Sequence, residues 1–123
     1  MDWFSPVRLT AFKGNTELKA GRVRRARETL TAALDQLPAS DVKQRAVILG
    51  DLGAVEVAAD DPEAACRRAH EALDCLTEVW YATGMERVRE VRRSLRPWQD
   101  QRCVRDLDDR LYGWQTTVSA MSR

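Results

Sequence analysis

The sequence predicts an all-α protein, a stack of about six antiparallel helices forming one domain over residues 1–123. Three observations predict it. Start signals precede five of six candidate segments, the spacing of apolar residues is helical rather than alternating, and part of the chain repeats at an interval of 39 residues. A chain of 123 residues can bury about two thirds of its unfolded surface around one core.

The first helix opens at Ser5 and Pro6, a cap followed by a proline whose missing N–H costs nothing in the first turn, and runs to about Ala20 before Gly21. The second, about Arg22 to Gln36, keeps Val23, Ala26, Leu30, Ala33 and Leu34 on one face and stops at "LPAS". Asp41 and Gln44 form a capping-box pattern for the third, which reaches about Ala59 and has almost no polar side, so it belongs between other helices. Asp61 and Pro62 open the fourth, to about Leu76. Thr83 and Glu86 repeat the capping-box pattern for a fifth ended by Pro97, and Asp100 caps a sixth that reaches about Val118. On the sixth, Val104, Leu107, Leu111, Trp114 and Val118 form an apolar stripe.

A shift of 39 residues aligns Gly14 with Gly53, Glu17 with Glu56, Ala26 with Ala65, and Ala33-Leu34-Asp35 with Ala72-Leu73-Asp74. The repeating unit is a helix pair, giving pairs at about 5–37 and 41–76 and a divergent capping pair at 83–118. Gly14, Ala26, Leu30 and Pro38 follow a spacing that resembles the tetratricopeptide pattern, which implies a right-handed stack. The second unit keeps Leu52-Gly53 and Ala65 but has Ala69 at the large position and Thr77 in place of proline.

The strings "GMERVREVRRSLRPWQDQRCVRDLDDRL", "RLTAFKGN" and "LGDLGAVEVAADDPEAACRRAHEAL" resemble the C-terminal tetratricopeptide-like region of actinobacterial XRE-type helix-turn-helix transcriptional regulators. The resemblance covers nearly all of residues 3–118. It implies a non-enzymatic protein- or peptide-binding or oligomerisation module, with the DNA-binding domain supplied outside this chain. Two expectations follow: a fragment of a longer regulator, or a stand-alone relative.

Composition narrows the partners. Twenty basic and 19 acidic residues leave a net charge of +1, which gives no global attraction to nucleic acid or anionic membrane. The opening residues lack an export signal and no apolar run is long enough to span a bilayer, so a cytoplasmic protein is expected. Cys66, Cys75 and Cys103 are odd in number and show no C-x-x-C spacing, which fits reduced thiols.

If the repeat geometry holds, the first helix of each pair lines a concave groove. Its candidate residues are Arg8, Asn15 and Lys19, then Val47, Ala54 and Ala58, then Arg92 and Arg96: an apolar floor with basic ends, suited to a peptide bearing carboxylates. Five arginines between 87 and 96 read first as the wet side of a helix whose stripe is Met85, Val88, Val91 and Leu95, paired with Glu86, Glu90 and the acids Asp106, Asp108 and Asp109. Direct DNA binding through that face is a weaker alternative, and a homodimerising scaffold is another. Cys66 and His70, four apart, fall short of the four ligands of a zinc site; no catalytic residues, metal or cofactor are expected. Trp3-Phe4, Trp80-Tyr81 and Trp98 are expected to pin helix ends.

Overall fold

The computed structural model describes residues 6–121, with side chains described through residue 114. These residues form six α-helices and contain no strand: α1 (Pro6–Lys19), α2 (Val23–Gln36), α3 (Val42–Ala58), α4 (Pro62–Glu78), α5 (Ala82–Ser94) and α6 (Arg102–Met121), with one 3-10 turn at Arg96–Trp98. The expected cap at Ser5, the Trp3-Phe4 pair and the side chain of Val118 lie outside the described residues.

Local chemistry accounts for most boundaries. Asp41 accepts a hydrogen bond from the Gln44 N–H at 3.3 Å, and Asp61 accepts from the Ala64 N–H at 3.0 Å ahead of Pro62. Each satisfies an amide that the first turn leaves without a partner. Two expected caps are corrected. Thr83 lies inside α5, whose cap position is Tyr81 in extended conformation, because the Tyr81 carbonyl already accepts from the Met85 N–H at 3.1 Å. For α6 the flanking residue is Gln101, whose carbonyl accepts from Val104 and Arg105, rather than Asp100. The fifth helix also ends at Ser94, before Pro97, where the chain tightens into the 3-10 turn.

The helices ending the first halves of the two repeats stop in the same way. At Gly21 (φ 80°) the Arg22 N–H reaches the Glu17 carbonyl and the Gly21 N–H reaches Leu18. Thirty-nine residues later, Asp60 (φ 59°) places the Asp61 N–H on Glu56 and its own N–H on Val57. Both are Schellman endings, one built on glycine and one on a side chain that tolerates the left-handed conformation less well.

Packing divides around α3. On one side Ile48, Leu52 and Val55 join Ala11, Ala26, Leu30 and Ala33 of α1 and α2 in a buried cluster. On the other, Ala46 and Leu49 join Ala69, Leu73 and Leu76 of α4, Met85, Val88 and Val91 of α5, and Val104 and Leu107 of α6. The single interior expected from the sequence is therefore two clusters sharing α3, with Leu34 touching both. Full burial of each Leu or Val contributes roughly 2 kcal/mol of transfer free energy, so both clusters are substantial. Glycine permits the tightest crossings. A methyl on Gly14 would stand 2.6 Å from Leu30 Cγ, and one on Gly50 would stand 2.5 Å from Arg87 Cβ, so α1 meets α2, and α3 meets α5, at backbone range.

Polar links tie the layers together. Arg27 Nε donates to Glu56 at 2.7 Å between α2 and α3. Arg92 donates to the two Asp108 carboxylate oxygens through Nε and Nη2, and Arg110 donates to the His70 carbonyl at 3.1 Å and to Asp74 at 2.6 Å, fastening α6 to α5 and α4. The two indoles of Trp80 and Trp114 lie 5.7 Å apart, pinning the α4–α5 connection to α6.

Candidate ligand-binding groove

Three helices present residues at helical spacing to one open groove of about 370 Å³. Arg8, Phe12, Asn15 and Lys19 come from α1, Gln44, Val47 and Asp51 from α3, and Thr83 and Arg87 from α5. Tyr81 also lines it, with Lys43 Nζ 5.6 Å from the centre of its ring. Spacings of three and four residues keep each set on one helix face, so the groove follows directly from three helices lying side by side.

A buried carboxylate sits in its floor. Asp51 is 6% exposed on a helix that is otherwise apolar at this level. Asn15 Nδ2 donates to Asp51 Oδ1 at 3.4 Å, and Arg87 Nε lies 3.2 Å from the same oxygen. The Arg87 N–H is buried and has no acceptor in hydrogen-bonding alignment, so proximity to Asp51 does not satisfy it. Burial pushes the Asp51 carboxyl up to about 6; the Arg87 charge, the Asn15 hydrogen bond and Lys19 pull the other way without matching it, while Glu90 adds to the rise. Glu90 itself approaches Arg87 Nη1 at 3.9 Å.

Of the residues expected to line a groove, the structure brings together Arg8, Asn15, Lys19 and Val47. The others lie elsewhere. Ala54 packs against the α4–α6 side of the core, Ala58 is exposed near the end of α3, and Arg96 is exposed in the 3-10 turn. Arg92 faces α6 and is engaged with Asp108. The reason is the rotation of α5. Val88, Val91 and Leu95 face the core, so Thr83 and Arg87 emerge on one flank and Arg92 and Arg96 on the other. A stripe read from sequence does not say which flank a neighbouring helix leaves open.

The groove residues missed from sequence are Ala11, Phe12, Gln44, Asp51, Tyr81, Thr83 and Arg87. Asp51 carried a readable signal, a lone acid inside "VILGDLGAV" where every neighbour is apolar. The acidic partners of the arginines also differ in detail. Arg93 pairs with Glu86 at 2.9 Å, and Arg87 pairs with Glu90 and with Asp51, an acid outside the expected set.

Among the described residues no cluster of His, Cys, Asp and Glu could hold a metal ion, and no helix is long and apolar enough to cross a membrane. His70 Nδ1 instead faces Arg110 at 3.1 Å; burial, then the Arg110 charge, lowers its pKa. No family model, no curated protein and no solved structure matches the chain.

Proposed function

We propose that the chain is a non-enzymatic binding module that holds a short acidic peptide segment of a protein partner in the groove of α1, α3 and α5. The observation that carries this reading is that Arg8, Lys19 and Arg87 from two helices line one groove whose floor holds a buried carboxylate, beside an exposed phenyl ring at Phe12, 75% accessible. Cations with one aromatic neighbour suit an acidic chain with an apolar residue. In the same reading the helices form a tetratricopeptide-like right-handed stack, supported by the paired packing of α1 with α2 and α3 with α4 and by the repeated Schellman ending. The module belongs to a cytoplasmic transcriptional regulator of the XRE type whose DNA-binding domain lies outside this chain; the sequence resemblance and three free thiols support that placement. Engagement of Arg92 with Asp108 and Arg93 with Glu86 weighs against DNA binding through α5.

The test is fluorescence anisotropy with a labelled acidic peptide against wild type and an Arg8→Glu, Lys19→Glu variant. Affinity falls about tenfold or more, corresponding to at least ~1.4 kcal/mol, while helicity by circular dichroism is unchanged. Equal affinity in the two proteins ends the groove reading. Light scattering on the same samples addresses the scaffold alternative, which draws on exposed Leu9 and Phe12 one turn apart: a dimer in wild type with no peptide binding favours it.

A further inference from the structure

Away from the groove, two of the three thiols line one depression. Cys66 lies on α4 and is 3% exposed; Cys103 lies in the first turn of α6, half-buried, and packs against the cluster that contains Cys66. Both thiols line one open depression of about 400 Å³ between the two helices, with Glu63, His70 and Asp106. The third thiol, Cys75, is buried elsewhere on α4 and lines no part of it.

We propose that Cys66 and Cys103 are a redox pair that a hydroperoxide oxidises to a disulfide joining α4 to α6. The two sulfurs are unequal, which assigns their roles. Cys103 is reached from solvent, whereas burial, reinforced by Cys103, pushes the Cys66 thiol up to about 12 and keeps it protonated. Arg92 opposes that rise and Asp108, its ion-pair partner, adds to it.

The chemistry balances in two steps. Cys103, as thiolate, attacks one peroxide oxygen; the O–O bond breaks, Cys103 becomes a sulfenic acid, and the departing hydroxide or alkoxide takes up the proton that the Cys103 thiol released, leaving as water or an alcohol. The Cys66 sulfur then attacks the Cys103 sulfur. The S–S bond forms, the S–O bond breaks, and the departing hydroxide takes the Cys66 proton to leave as water. Two thiols and one hydroperoxide thus give one disulfide, and a dithiol reductant reverses the change by exchange. Lining one depression on two packed helices shortens the search that usually limits the second step.

The experiment oxidises the reduced full chain with equimolar hydrogen peroxide, then alkylates it in denaturant with N-ethylmaleimide and maps the peptides by mass. The expected product is a disulfide linking the peptides that contain Cys66 and Cys103, with Cys75 alone labelled and all three cysteines labelled after dithiothreitol. Oxidised wild type melts on the order of 10 °C higher than reduced protein, a gain absent from Cys103→Ser. Cys103→Ser substitutes a half-exposed position, so folding is retained, and Cys66 stays reduced at the same peroxide dose. Sulfinic acid or intermolecular crosslinks at Cys103 with Cys66 still open to label overturn the proposal, as does oxidation of Cys66 in Cys103→Ser.

Discussion

Asp51 opposes folding at neutral pH. Between its ordinary value near 3.8 and its native value of about 6, the folded chain keeps a proton that the unfolded chain has released. Stability from this group therefore falls as pH rises through that window, and the full cost, roughly 3 kcal/mol for two units, is present above it. Asp51→Asn keeps the shape and removes the charge. The variant is expected to gain about 1–2 kcal/mol at pH 7.5 in urea unfolding, and its stability relative to wild type flattens below about pH 4; an unchanged difference across pH 4 to 7 contradicts the assignment. Arg8, Asn15, Lys19 and Val47 were legible as groove residues because helical spacing on α1 and α3 alone sets their direction. Arg87 was not, since its direction depends on how α5 is rolled against Gly50, a contact between residues far apart in sequence.

At the level of the helix, the ends of α1 and α3 offer a direct comparison. Gly21 takes its left-handed conformation without a Cβ penalty, while Asp60 adopts the same conformation with one. Asp60→Gly is expected to stabilise the fold by about 1 kcal/mol, read as a rise in the urea midpoint at unchanged slope. A loss of stability instead means that the Asp60 side chain does more than tolerate the turn. Helix existence was readable throughout, from Asp41, Asp61, Pro62 and the apolar periodicities. The start of α5 was misread because Thr83 and Glu86 satisfy a pattern that the extended Tyr81 pre-empts, a choice made by the α4–α5 connection and its Trp80–Trp114 stack rather than by the helix.

For the molecule as a whole, the apolar run of α3 correctly indicated a helix surrounded by others, and its position between two clusters makes it the common wall of the protein. Its amide protons are expected to exchange only through global unfolding, with protection equal to the full stability, while those of α6, packed mainly on α4, exchange through smaller openings. Hydrogen exchange followed by mass spectrometry reads both; early exchange at Leu49 to Val55 contradicts this order. That the interior would split in two was not legible, because Ala, Leu and Val look alike in sequence whichever neighbour they meet. A shared wall also means that damage cannot be quarantined: loosening the layer beneath α1 slackens the support under α5, so a lesion far from Arg87 can still blunt what Arg87 does.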